Sequence, residues 1–136
     1  MSGADLASQK LSTTTAMLMA VTRIFNSAEF MQPTEGNGEP IRSVITQSAE
    51  AVVVAWHVNP GQRIAAHVHP HGQDTWTVLS GSGEYQLEHG GRSQTISPGC
   101  VVVAPTGCVH GVFNRGREPL VFISVVSPAE AGYELA

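Results

Sequence analysis

The sequence predicts an all-β domain, a sandwich, jelly roll or barrel, and three observations carry that reading. From about Arg23 onward, apolar residues come in runs of four to eight, rich in β-branched side chains. Gly, Pro and Asn separate these runs at regular intervals. No stretch in this region keeps a helical repeat for three turns.

Each element follows in order. Ala51–Val58 (AVVVAWHV) is a strand that ends at the turn Asn59-Pro60-Gly61. Arg63–His69 is the next and stops at Pro70, which has no N–H for a ladder. Asp74–Leu79 (DTWTVL) leads into Ser-Gly-Ser-Gly, and Glu84–Glu88 into the hairpin-like turn His-Gly-Gly-Arg. Ser93–Ile96 reaches Ser-Pro-Gly, followed by Cys100–Pro105 and Val109–Asn114. The turn Arg115–Pro119 then leads into Leu120–Val126, the last long run. A chain of 136 residues fits one such domain, expected over 23–136, and is long enough to bury its own core. Residues 1–22 read as a flexible extension. Their apolar patch, Ala16–Val21, lacks the basic start and longer apolar core of a secretory signal, so the expected address is the cytoplasm.

Composition excludes several partners. Net charge is −4 and the seven Lys and Arg are scattered, so no basic stripe awaits a nucleic acid. Nothing approaches the roughly 18 apolar residues of a membrane span. Charged residues are only 13% of the chain, little enough that a homodimer covering part of the surface is expected. Cys100 and Cys108 flank a short strand that would hold them apart, and they read as free thiols.

Three of the six histidines fall within five positions, His67, His69 and His71. Side chains alternate along a strand, so Ala65, His67 and His69 share one face. In the following strand Asp74 shares a face with Trp76 and Val78, the apolar and therefore inward set. His67, His69 and Asp74 thus converge on one interior from adjacent strands. Buried there, they are costly unless paired or bound to a metal.

The wider spacing is specific. Gly61, His67, His69, Asp74 and Gly81 form one pattern, and Gly99, Pro105, Gly107, His110 and Asn114 a second, 17 residues further on. Together they resemble the two motifs of the cupin family over roughly residues 41–127, with motif one at 61–81, motif two at 99–114, and Asp in the place of the usual Glu. The resemblance implies a double-stranded β-helix, the small RmlC-like jelly-roll barrel, with one divalent transition metal per chain. It implies His67, His69 and His110 as ligands and Asp74 as the carboxylate. Asp is one methylene shorter than Glu, which leaves open direct ligation, ligation through water, and a three-histidine site. Gln73 occupies the family's alternative spacing, although strand parity and the distance to Gly81 favour Asp74. Imidazoles with one oxygen suit Zn, Fe, Ni, Mn or Cu alike. A set rich in histidine and without cysteine leaves positions open to water or substrate.

Simpler roles are expected elsewhere. His71, after Pro70, reads as exposed or supporting, His57 as a hydrogen-bonded core histidine, and His89 as a turn residue. Trp76 is either a core aromatic or a pocket wall. Cys108, two before His110, faces the same pocket if that segment is extended, where a thiol is a ligand, a redox group or, the usual case for a buried Cys, a small apolar filler. Glu84 and Gln86 are open to either face. The fold admits many reactions, so the expectation is a metalloenzyme acting on a small polar ligand, of dioxygenase, isomerase, decarboxylase or lyase type. The alternative is a non-catalytic binding module.

Overall fold

The computed structural model describes residues 22–136, so the expected N-terminal extension lies outside the described residues except for Thr22. A 3-10 turn at Ser27–Phe30 is followed by ten strands. They are β1 (Ser43–Gln47), β2 (Val52–Val58), β3 (Arg63–Val68), β4 (Gln73–Ser80), β5 (Gly83–Gln86), β6 (Ser93–Ile96), β7 (Val101–Ala104), β8 (His110–Phe113), β9 (Leu120–Ser127) and β10 (Glu134–Leu135). Two five-stranded antiparallel sheets result, in the orders β1-β2-β9-β4-β7 and β10-β3-β8-β5-β6. This is the expected double-stranded β-helix. Strands β1 and β10 go beyond the sequence reading.

Alternation decides what each sheet buries. Val52, Val54 and Val58 of β2, Trp76 and Val78 of β4, and Leu120 and Phe122 of β9 face inward from the first sheet. Ile64, Tyr85, Ile96 and Val112 face them from the second. All of these but Val52 and Val54 pack together to plug one end of the barrel, with Trp76 stacked on Phe122 at 4.2 Å and edge-on to Tyr85 at 5.2 Å. Glu84 accepts a hydrogen bond from Thr95 at 3.0 Å and, alternating with Tyr85, lies on the outer face with Gln86.

Several motif residues are structural. Asn114 is fully buried; its amide donates to the carbonyls of Val58 (2.9 Å) and Glu118 (2.8 Å), and its oxygen accepts from the Gly116 N–H. Gly61 N–H also donates to the Asn114 carbonyl at 2.8 Å, which ties the start of the first motif to the end of the second. Gly81 has φ +74°, and a Cβ there would stand 2.0 Å from the Pro119 carbonyl oxygen. Only glycine fits that crossing.

Strand β3 departs from simple alternation. Ile64 pairs with Val112, but His67 pairs with His110, so the Ala65–Ala66 stretch carries one residue more than its partner. The bulge turns both Ile64 and His67 inward although they are three residues apart. Ala65 therefore does not share the interior with His67, contrary to the parity expectation. Gly111 lies opposite, where a Cβ would come within 2.7 Å of the Ile64 carbonyl oxygen.

Candidate metal centre

The end of the barrel away from the plug is a cavity of about 560 Å³. Val52, Val54, Trp56, Ile64, Trp76 and Val126 form its apolar wall, and His67, His69 and Asp74 lie on it. Sheet register brings the polar groups there. β3 supplies His67 and, just past its end, His69; the second residue of β4 is Asp74; and β8 opens on His110.

One ligand atom from each of His67, His69, Asp74 and His110 lies within 4.8 Å of all the others. Asp74 Oδ2 is 3.0 Å from His110 Nε2 and 3.4 Å from His69 Nε2. The shorter aspartate thus reaches the cluster. His67, Asp74 and His110 are buried, while His69 is half-buried.

All three imidazoles are oriented alike. His67 Nδ1 contacts the Ala65 carbonyl at 2.7 Å, His69 Nδ1 the Gly132 carbonyl at 2.6 Å, and His110 Nδ1 the Cys108 carbonyl at 3.1 Å. A carbonyl only accepts, so each Nδ1 carries the hydrogen and each Nε2 is left for the centre. Among the described residues, His69 Nε2 and Asp74 Oδ1 are buried without a hydrogen-bond partner. Orphaned buried atoms are costly, and three Nε2 atoms with a carboxylate form a donor set suited to a transition metal. The residues fit the group the sequence implied.

Electrostatics of the metal-free chain separate the members. Burial lowers His67 from 6.5 to about 4, against its hydrogen bond to Ala65 and with added repulsion from His110 and His69. Burial also disfavours charge on His69, but contacts with Asp74 and Gly132 outweigh it and its pKa is raised. Burial would raise Asp74 too, yet His110 and His69 pull it down to about 2. A carboxylate so stabilised stays ionised and available as a donor.

The remaining candidates fall elsewhere. Gln73 is exposed and its amide donates to Thr75 at 3.3 Å. Trp76 is both core and cavity wall. Cys108 is exposed in the turn between β7 and β8 and is not among the cavity-lining residues. That segment is not extended, so parity with His110 does not apply to it. Cys100 and Cys108 are both free. His71 is exposed; His57 is half-buried, and its Nδ1 has no hydrogen-bond partner among the described residues, where a hydrogen-bonded core histidine was expected.

Four lining residues with polar side chains escaped the sequence reading: Glu39, Arg42, Ser124 and Tyr133. Glu39 accepts from the Ala65 N–H at 3.0 Å. Buried Ser124 accepts from the Trp56 indole at 3.2 Å, so its own proton is available to the cavity. The Tyr133 ring lies 4.8 Å from that of His67. The C-terminal segment that carries it also supplies Ala131 and Gly132, and pairs as β10 with β3.

The model of the cupin domain family matches residues 54–126. The chain belongs to the cupin family. Among solved structures, this cupin is similar to an uncharacterized conserved protein with a double-stranded beta-helix domain from Klebsiella pneumoniae. That match is 50% identical with a TM-score of 0.80, covering 85% of this chain and 97% of that one. A DMSP lyase, DddQ of Ruegeria pomeroyi, shares the fold at 21% identity and a TM-score of 0.57, over 65% of this chain and 44% of that one. Among curated relatives, the mannose-1-phosphate guanylyltransferase RfbM of Salmonella typhimurium is 28% identical over 90 residues. These are 66% of this chain but only 18% of that protein's length. Among the described residues, no helix is long and apolar enough to cross a membrane.

Proposed function

We propose that this cupin is a metal-dependent enzyme acting on a small polar substrate in the barrel cavity. Nε2 of His67, His69 and His110 and the carboxylate of Asp74 would hold one divalent transition metal, Zn, Fe, Ni, Mn or Cu. The observation that carries the reading is the convergence of these four donors beside a cavity of about 560 Å³. That volume suits a small ligand. Such a metal supplies Lewis-acid polarisation of a bound oxygen group, or activation of dioxygen where it is redox-active.

The chain's own residues do the rest. The Ala65, Gly132 and Cys108 carbonyls keep the three rings turned with Nε2 to the centre. Trp56, Trp76 and the valines exclude water from the substrate, and Ser124 offers a hydrogen-bond donor. The similarity to a lyase adds support for an enzyme on this fold, without fixing the reaction.

The test is elemental analysis of protein purified without added metal or a metal-binding tag, beside His110→Ala. About one equivalent per chain, lost in the variant, is expected. No metal in the parent even after reconstitution would leave a non-catalytic binding cupin. We also propose a cytoplasmic homodimer. The free thiols suit a reducing compartment, and Val101 and Val103 expose an apolar edge of β7. Light scattering behind a sizing column would read the dimer.

A further inference from the structure

The cavity is asymmetric in a way the metal centre does not explain. Its inner wall is apolar and its donors are gathered at His67, His69 and Asp74. At the rim stands Arg42, the one Lys or Arg among the described lining residues. Arg42 forms no salt bridge among the described residues. The rim carboxylate, Glu39, is instead held by the Ala65 N–H. In a loaded site, a divalent ion would more than offset the charge of Asp74, which leaves the cavity with surplus positive charge. A guanidinium presents a planar fork that matches a carboxylate with two parallel hydrogen bonds.

We propose that the ligand of this cavity is a small carboxylic acid with an apolar body, and that Arg42 is the residue that selects for its carboxylate. The apolar chain lies against Val54, Trp56, Trp76 and Val126, and Ser124 donates to a polar group along it. The proposal deepens the metalloenzyme reading by naming the substrate class, and it rests on that reading for the other end of the ligand.

Both tryptophans of the chain, Trp56 and Trp76, line the cavity, so their fluorescence reports binding there. Hexanoate and hexanamide, near-isosteres that differ in charge, are titrated at pH 7 into metal-loaded wild type, Arg42→Gln and Arg42→Lys. Metal content is measured in parallel. Wild type is expected to prefer hexanoate by about tenfold or more, the scale of a hydrogen bond to a charged group. Arg42→Gln should lose that preference and Arg42→Lys keep part of it, with metal content unchanged in both.

Equal binding of acid and amide by wild type overturns the proposal, as does quenching by neither probe. A preference that survives in Arg42→Gln also overturns it, since the carboxylate would then be read elsewhere. If wild type holds no metal, the metalloenzyme reading fails separately. The same comparison on the metal-free chain then decides the role of Arg42 by the same criteria.

Discussion

In the metal-free chain, His67 should make folding sensitive to mild acid. Its imidazole is buried among two other histidines and is held at about 4, against 6.5 for an ordinary one. Between these values the unfolded chain binds the proton and the folded chain refuses it. Stability supplied by His67 is therefore full above about pH 6.5, falls as pH drops towards 4, and levels off below. At about 1.4 kcal/mol per unit, the part lost between pH 7 and 4.5 is about 2 kcal/mol, allowing for solvation through the open cavity. The neighbours do not mimic this slope. His69, with its raised pKa, contributes stability below about 6.5 that is lost as pH rises, the opposite sign. Asp74 acts lower, between 3.8 and about 2. The assay is urea unfolding of EDTA-treated wild type and His67→Gln at pH 7, 6, 5 and 4.5, followed by tryptophan fluorescence. Wild type should lose about 2 kcal/mol more than the variant across that range. Parallel curves would show that the folded state does not resist protonation at His67, and the reasoning would be wrong.

Two further outcomes test the frame around the site. Asn114→Ala removes two donated bonds and one accepted bond at a fully buried position, and should cost about 3 kcal/mol in thermal or denaturant unfolding; a loss below about 1 kcal/mol would contradict the role given to that side chain. A chain ended after Ala131 loses the Gly132 carbonyl that orients His69 and the Tyr133 ring beside His67. Metal affinity by competition with a chelating dye should then fall about 10–100-fold with the far-ultraviolet spectrum retained, and unchanged affinity would show that this carbonyl does not set the ring.

The strand bodies were legible because β-branched runs and turn residues are local signals. Val52–Val58 and Leu120–Ser127 match their apolar runs to within a residue or two. Ser43–Gln47 was not legible, since its alternation is short and broken by an irregular pairing with β2. Glu134–Leu135 is only two residues, too short to carry a pattern. At the site, Asp74 beside Trp76 followed from parity alone. Arg42, Glu39 and Tyr133 did not, because they come from segments on either side of the barrel strands that meet only at the cavity rim. Nothing local marks such a meeting. Cys108 shows the converse, a local argument defeated by the turn that precedes β8.

The bulge in β3 bears on how this chain can change. Ile64 serves the plug and His67 serves the cavity, and the extra alanine between them reconciles two duties that plain alternation over three residues would set on opposite faces. Gly111 makes room for the backbone that this detour pushes across. The insertion and the glycine are therefore partners. A chain shortened by one alanine at Ala65–Ala66 would keep both Ile64 and His67 facing inward by simple alternation and would relieve the backbone crowding at position 111, leaving only the flexible end of Gln86 to move aside. An alanine at 111 with β3 at its present length would instead collide with the Ile64 carbonyl. Of the two single steps between the present arrangement and a shorter strand, only the deletion is passable first, so the order of such changes is dictated by the backbone of Ile64 and Ala66.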